Sequence, residues 1–113
     1  MKKTASLVCT IVLAAGVAVA AQGDEKGTAK GNAEKGKETF EQCGACHEVA
    51  TAEKKMGPSL QGLYKRGKLK NGKPVTDANV KALINAGGNG MPAYADLLSD
   101  DEKNDVIAYL KTI

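Results

Sequence analysis

Apolar residues recur with the spacing of an α-helix in three short segments of this chain. In the first, at residues 33–43, Gly36 and Phe40 are four positions apart and therefore lie on one face. Asn32 precedes the segment, and an asparagine side chain can accept hydrogen bonds from the free N–H groups at the start of a helix. The pattern predicts a short helix that begins after Asn32.

The second segment predicts a helix of about ten residues that is capped by Thr76 or Asp77. Its apolar side chains share one face: Val80, Leu83 and Ile84. Two consecutive glycines, Gly87 and Gly88, come next and are expected to end the helix, because glycine readily adopts the backbone conformations found at helix C-termini.

The third segment has the clearest helix signals. Ser99 followed three residues later by Glu102 is the capping-box pattern, in which each side chain accepts a hydrogen bond from the other residue's backbone N–H. Asp100 and Asp101 place negative charge at the positive end of the helix dipole. The apolar stripe that we expect to be buried consists of Val106, Ile107, Tyr109 and Leu110.

The segments between these helices predict loops. Glycine and proline recur through residues 48–75, and no segment alternates polar and apolar residues for long enough to form a strand. The sequence therefore predicts an all-α fold, in which a few short helices are joined by long loops.

The N-terminal region has the pattern of a secretory signal peptide. Two lysines precede eighteen residues without a charge, and Ala18 and Ala20 give the A-x-A pattern that a signal peptidase recognises. We interpret residues 1–20 as the signal peptide, residues 21–31 as a flexible leader and residues 32–113 as the folded domain. An uncleaved anchor is the alternative, since eighteen apolar residues can just span a bilayer. The abundance of alanine and glycine favours cleavage and export to the periplasm.

The composition indicates a thin hydrophobic core. The chain has no tryptophan, one phenylalanine and three tyrosines, and aromatic residues make up 4% of it. A domain of about eighty residues is marginally stable even with an ordinary core, and small domains commonly require a disulfide, a metal or another added group. A large flat apolar cofactor would supply the missing core.

The clearest chemical motif is Cys43-Gly44-Ala45-Cys46-His47, the attachment pattern of c-type haem. Two thiols separated by two small residues can form thioether bonds to the two vinyl groups of one porphyrin, and the adjacent histidine can ligate the iron. A thioredoxin-like redox pair is disfavoured because the surrounding sequence has no βαβ pattern. A structural zinc site needs four ligands, and only three cysteine or histidine residues remain after signal cleavage. A plain disulfide beside an incidental histidine is a further alternative.

His47 is the only histidine of the chain, so the second axial ligand of such an iron must be a different side chain. Methionine is a common partner of histidine in electron-transfer haems, and Met56 and Met91 are the methionines beyond the signal peptide. Met91 is favoured because it lies 44 residues after His47, far enough for the chain to cross to the opposite face of the haem. Glycines before Met91 allow a close backbone approach, and Pro92 stiffens the backbone after it. Met56 is interpreted as a packing residue.

These motifs, in this order, resemble those of the class I cytochromes c, and the resemblance covers residues 32–113. It implies the cytochrome c fold, with short helices and loops wrapped around the cofactor. It also implies one covalent haem c with its iron per chain, held by Cys43 and Cys46 and ligated by His47 and Met91.

The resemblance also assigns roles to other residues around the haem. The Pro58 carbonyl is expected to accept a hydrogen bond from the proximal imidazole, and Leu60 to press on the haem face. Arg66 is expected to pair with a haem propionate. From the residues alone, Pro58 belongs to a turn and Arg66 to the solvated surface. Tyr64 and Tyr94 are expected either to close the haem edge or to pack in the ordinary way.

Charge is unevenly distributed along the chain. Seven basic residues and no acidic one lie between positions 54 and 73, whereas five acidic residues and one lysine lie between positions 96 and 105. The net charge of +3 falls to +1 when the two signal lysines are removed, so a nearly neutral protein is expected to have a charge dipole. A basic rim can steer it toward acidic docking surfaces of redox partners, unless the lysines simply form a solvated loop. The pattern does not favour nucleic-acid binding.

The sequence therefore predicts a monomeric one-electron carrier, not an enzyme, that works between a protein donor and a protein acceptor in the bacterial periplasm. Membrane complexes are expected only as partners. The alternative is a haem-bearing subunit or tethered domain of a larger respiratory oxidase or dehydrogenase. A haem enzyme or gas sensor would require that Met91 does not bind the iron.

Overall fold

The computed structural model describes residues 30–113, and within this range the chain forms α-helices and no β-strand. The helical elements, in chain order, are α1 (Ala33–Gly44), a 3-10 turn (Leu63–Lys65), α2 (Asp77–Ala86) and α3 (Asp100–Leu110). The all-α prediction is confirmed for these residues, although the sequence did not predict the 3-10 turn. The signal-peptide interpretation of residues 1–20 and most of the leader lie outside the described range. None of the described helices is long and apolar enough to cross a membrane.

Asn32 and Ser99 cap α1 and α3 as predicted. The Asn32 Oδ1 atom accepts hydrogen bonds of 2.9 and 3.1 Å from the second and third backbone N–H groups of α1. At α3, the Ser99 hydroxyl accepts from the Glu102 N–H at 3.2 Å, and the Glu102 carboxylate accepts from the Ser99 N–H at 2.7 Å. Both halves of the capping box are therefore formed.

Thr76, rather than Asp77, caps α2. Its hydroxyl accepts a hydrogen bond of 3.1 Å from the Asn79 N–H. The helix ends immediately before Gly87, whose φ of 60° lies in the left-handed region that favours glycine. The predicted end of this helix is confirmed.

The first and last helices cross in direct backbone contact at Gly36. A Cβ atom at Gly36 would overlap the backbone carbonyl of Asp105, so glycine is needed for the two helices to approach this closely. One turn further along α1, the Phe40 ring packs against the Tyr109 ring, with centroids 5.3 Å apart and planes tilted by 54°. The crossing fixes the direction of α1, whose last turn carries Cys43.

The hydrophobic core of the described range is small. Its buried apolar side chains are 3–8% exposed: Phe40, Leu63, Leu69, Val80, Leu98, Val106, Ile107 and Leu110. Further apolar residues pack against this cluster but are only partly buried, Tyr109 among them. The predicted stripe of the last helix is thus buried at three positions and partly buried at the fourth. The thin core agrees with the expectation from composition.

Candidate haem site

The segment from Cys43 to His47 forms a tight turn at the end of α1. Cys43 lies in the last turn of the helix, and its carbonyl accepts hydrogen bonds from the backbone N–H groups of Cys46 and His47 at 3.0 and 2.9 Å. Both thiols are partly buried, and they are not joined in a disulfide. Burial, and after it the neighbouring Cys46 thiolate, raises the pKa of the Cys43 thiol. The turn presents two thiols and one imidazole within five residues.

The His47 ring is held by a loop that runs past it. Its Nδ1 atom lies 2.8 Å from the Pro58 carbonyl oxygen, which is the contact that the family resemblance implies. A carbonyl can only accept a hydrogen bond, so Nδ1 carries the proton and donates. The lone pair is then on Nε2, where it can bind a metal, and the hydrogen bond orients the ring.

Gly57 is a site residue that the sequence pattern identified only as part of a turn. A Cβ atom at this position would lie 2.6 Å from His47 Cε1 and 2.8 Å from His47 Nδ1, which is too close for a real side chain. The Gly57 N–H donates to the Cys46 carbonyl at 2.8 Å, so the loop backbone lies directly against the ring. A glycine before a proline signals a turn, but it carries no information about a ring ten residues earlier in the chain.

Arg66 fastens the loop that carries Pro58 and Leu60. Its guanidinium donates to the Ser59 carbonyl at 3.1 Å and also to the Gln61 carbonyl. Leu60, between these two residues, is partly buried against the hydrophobic core. A guanidinium has five N–H donors, so these bonds leave donors for another partner. The propionate role of Arg66 and the haem contact of Leu60 remain predictions.

Met91 comes directly after a tight hairpin turn between α2 and α3. Gly88 and Met91 exchange two backbone hydrogen bonds of 2.9 and 3.1 Å. They enclose Asn89 and Gly90, whose φ angles are 53° and 89°. These values match a type I′ turn, for which Asn-Gly is the usual sequence signal. From the sequence, the glycines before Met91 were expected only to allow a close backbone approach. The turn itself was not predicted, and it defines the backbone position of Met91.

The two candidate methionines lie in different environments. Met91 is partly buried, whereas Met56 is 82% exposed. The Met56 Sδ atom lies 3.9 Å from Cys46 Sγ. Met56 is therefore a surface residue that touches Cys46, and its interpretation as a packing residue is wrong. Its loop carries it outward immediately before Gly57.

The two tyrosines expected near the haem differ in their surroundings. Burial, followed by the charges of the Cys43 and Cys46 thiolates, raises the pKa of the Tyr94 hydroxyl. The Tyr64 hydroxyl instead donates to the Asp77 carboxylate at 2.9 Å, so its polar end is engaged at the start of α2.

These residues fit a covalently attached haem. Two neighbouring thiols can bind two vinyl groups, and the Nε2 lone pair of His47 faces away from the Pro58 contact. Imidazole nitrogen and thioether sulfur form the ligand pair of many electron-transfer haems, and Met91 is a partly buried source of the sulfur. Within residues 30–113, no three His, Cys, Asp or Glu side chains come together as a site for a bare metal ion.

Comparison with known proteins agrees with this geometry. Residues 31–110 match a family model described as cytochrome c oxidase, cbb3-type, subunit III. Cytochrome c2 from Rhodoplanes tepidamans is 36% identical over an alignment 94 residues long, and the match covers 66% of this chain and 93% of that protein. The chain belongs to the class I cytochrome c family. The resemblance inferred from the motifs is confirmed, and with it covalently bound haem c and its iron as the cofactor of this cytochrome.

Solved structures of two cytochromes share the fold of this cytochrome. Cytochrome c6 from the diatom Phaeodactylum tricornutum is 27% identical and matches with a TM-score of 0.58, covering 73% of this chain and 93% of that one. Cytochrome cH from Methylobacterium extorquens is 26% identical and matches with a TM-score of 0.56, covering 74% of this chain and 100% of that one. The prediction of a cytochrome c fold is therefore confirmed.

Proposed function

We propose that this cytochrome is a monohaem one-electron carrier between protein redox partners in the bacterial periplasm. The observation that carries the proposal is the 2.8 Å contact between His47 Nδ1 and the Pro58 carbonyl. It commits one ring nitrogen to the backbone and leaves the other for the iron. The relatives are named as cytochromes, which supports electron transfer over catalysis.

His47 and Met91 are the proposed ligands that would hold the haem iron, through an imidazole nitrogen and a thioether sulfur. When bound, the haem supplies an iron that changes between its ferric and ferrous states by one electron. Because His47 and Met91 would both be committed to the iron, neither dioxygen nor peroxide would find a free site on it. Histidine–methionine ligation also raises the reduction potential, which suits a carrier in an oxidising compartment.

The remaining proposed contacts hold the haem in its pocket. Cys43 and Cys46 form its thioether bonds, and Leu60 packs on its face from the loop that also carries Pro58. Arg66 is proposed to bind a propionate with the donors that its backbone contacts leave over. Tyr94, which is partly buried, is proposed to close the haem edge.

The proposed partners are a protein donor and a protein acceptor with acidic docking surfaces. All the basic residues between positions 54 and 73 are exposed, and among them Lys55 forms an ion pair of 3.4 Å with Glu48. An exposed basic surface speeds encounter with an acidic partner, and salt weakens this effect. We propose that the protein works as a monomer. Residues 1–20 are proposed to direct its export, and residues 21–31 to form a flexible leader at the start of the mature chain.

A second candidate function is that of a haem-bearing subunit of a respiratory oxidase. The description of the matched family model, which names an oxidase subunit, favours this alternative. The leader would then serve as a tether. Purification of the exported protein under gentle conditions distinguishes the two, since a carrier is recovered alone and a subunit is recovered with its complex.

Replacement of each methionine tests the proposed ligand set. The exported wild-type protein should give a haemochrome spectrum of c-type haem, and its ferric form should show the methionine-to-iron charge-transfer band. Met91→Ala should lose that band and bind carbon monoxide rapidly in the ferrous state, because it opens the axial position. Met56→Ala is the matched control and should keep the wild-type behaviour. A wild-type protein without the band, or loss of the band in Met56→Ala, contradicts the proposal.

A further inference from the structure

Lys103 on α3 is the one buried charged residue within residues 30–113, with only 4% of it exposed. Its Nζ atom donates to the Ala95 carbonyl at 2.9 Å and lies 3.8 Å from the Asp100 carboxylate one turn earlier. Lysine is rarely buried unless it is paired. A buried ammonium that donates to a loop carbonyl is therefore not accounted for by the need of a protein for charged residues on its surface.

The carbonyl that Lys103 binds belongs to the segment that carries the proposed methionine ligand. We define residues 91–98 as the Met91 segment. Ala95 lies four residues after Met91, and the preceding Tyr94 N–H donates to the Ile84 carbonyl of α2 at 3.0 Å. The middle of the segment is thus fastened to α2 by a backbone hydrogen bond and to α3 by the Lys103 side chain.

Asp100 extends this arrangement to the surface. Its carboxylate lies 3.2 Å from Lys81 Nζ, on α2, and Lys81 also donates to Asn104 on α3 at 3.3 Å. The Asp100 side chain is 78% exposed, so solvent and salt weaken its ion pairs. The part-buried bond from the Lys103 ammonium to Ala95 is the stronger element, because a charge-assisted hydrogen bond is worth more where one of its partners is shielded from water.

We propose that Lys103 is a positioning residue that clamps the Met91 segment and so keeps the Met91 thioether on the iron. The inference rests on the proposed function, in which Met91 is the second axial ligand. A thioether is a neutral ligand, and an added ligand can bind the iron only while the thioether is away from it. Loosening the segment raises the population of that open state, and the apparent affinity for an added ligand rises in proportion.

Imidazole binding to the ferric holoprotein measures this population. Lys103→Met keeps the length and apolar stem of the side chain but removes the donor, and we expect it to raise the affinity for imidazole by roughly tenfold to a hundredfold, the equivalent of one hydrogen bond to a charged group. Lys103→Arg keeps a cationic donor and should stay close to wild type. If Lys103→Met does not accumulate as holoprotein, Lys103→Gln, which is neutral and shorter, takes its place in the same comparison.

The matched control is Lys111→Met, just past the end of the same helix. This substitution also removes an ion pair, the 2.7 Å contact between Lys111 and Asp77, but that pair does not involve the Met91 segment. The imidazole affinity of the Lys111→Met holoprotein should therefore remain that of the wild type. An unchanged affinity in Lys103→Met, or an equal rise in Lys103→Met and Lys111→Met, overturns the clamp. A wild-type protein that lacks the methionine-to-iron band and already binds imidazole as tightly as Met91→Ala shows instead that the proposed ligand set has failed.

Discussion

The two nitrogens of the His47 imidazole have separate tasks. Nδ1 donates to the Pro58 carbonyl at 2.8 Å, and Nε2 is left for the proposed ligation of the iron. The contact depends on Gly57, because any larger residue would meet the ring edge. The backbone that orients the ligand can therefore lie against the ring only through a residue without a side chain.

Gly57→Ala tests this dependence at the residue scale. A Cβ atom 2.6 Å from His47 Cε1 forces the loop and the ring apart, and overpacking of this kind typically costs about 1–3 kcal/mol of unfolding free energy. Denaturant unfolding of the holoprotein measures the loss. We also expect a weakened His47–Pro58 bond to appear as a shifted imidazole N–H resonance in the ferrous protein.

Gly67→Ala is the matched control for that variant. Nothing lies within 4 Å of a Cβ atom at Gly67, and its φ is not in the left-handed region. The substitution should be neutral or slightly stabilising, because alanine loses less chain entropy on folding than glycine. Equal stability of the two variants would show that the His47 contact does not constrain position 57.

At the scale of elements, the crossing of α1 and α3 brings the two ends of the folded domain together. Two glycines make the approach possible, since a Cβ atom at Gly36 would overlap the Asp105 carbonyl and one at Gly31 the Asn104 carbonyl. The Asn32 N–H adds a hydrogen bond of 2.6 Å to the Asp105 carboxylate. The start of α1 is therefore fixed on α3, and its other end carries the haem-attachment turn.

Gly36→Ala should weaken this crossing strongly. The overlapping atom is backbone and cannot rotate away, so the helices must separate, and we expect a loss of about 3 kcal/mol or more in the free energy of unfolding. Gly67→Ala again serves as the control, because a Cβ atom at that position would meet nothing within 4 Å. Thermal and denaturant unfolding followed by circular dichroism compares the two. A Gly36→Ala protein as stable as the control would contradict the close approach.

A second junction joins the 3-10 turn, α2 and the C-terminal end of α3 through Asp77. Its carboxylate accepts from Lys111 at 2.7 Å and from the Tyr64 hydroxyl at 2.9 Å. The Lys111 ammonium above all, and the Tyr64 hydroxyl after it, lower the pKa of Asp77. Because the pKa is lower in the folded than in the unfolded state, this stabilisation is present above the unfolded value of about 3.9 and is lost as the pH falls through the folded value.

Asp77→Asn should therefore reduce the loss of unfolding free energy that accompanies a fall in pH into the acid range. At neutral pH the variant should be less stable by about 1 kcal/mol or less, since the ion pair is exposed. Below pH about 4 its stability should converge on that of the wild type. Asp96→Asn, at an exposed loop position, is the control and should keep the wild-type pH profile. Urea unfolding at a series of pH values provides the measurement, and parallel profiles for wild type and Asp77→Asn would contradict the assignment.

At the scale of the whole molecule, the fold has little apolar material of its own. No described side chain is less than 2% exposed, and the partly buried apolar residues include several that carry or adjoin the proposed haem contacts, such as Cys43 and Leu60. A domain of this size with so thin a core is marginal without an added group. Haem attachment and folding are therefore expected to be coupled.

The double variant Cys43→Ala, Cys46→Ala tests that coupling. Without covalent attachment, the exported chain should lose most of its helicity and should melt without a cooperative transition. Circular dichroism of the purified variant provides the measurement, with the attached wild-type protein as the reference. Native helicity and a cooperative melt in the double variant would show that the protein part alone is sufficient for the fold.

The sequence by itself determined the three helices, the haem-attachment motif and the helix caps, with the choice between Thr76 and Asp77 left open at α2, because each of these signals lies within a few consecutive residues. Asn32, Thr76 and Ser99 cap helices by hydrogen bonds to N–H groups two or three positions away. The motif from Cys43 to His47 is likewise continuous in sequence. Local chemistry could therefore be predicted without knowledge of the packing.

Only the tertiary structure decided which distant residues meet. Gly57 is needed because the loop passes the His47 ring, and Gly36 because α1 crosses α3. Lys103 was one basic residue in an acidic stretch, yet it is buried on the Ala95 carbonyl. Each of these roles depends on an approach between segments far apart in the chain, and the spacing of residues along a sequence contains no information about how closely two such segments approach.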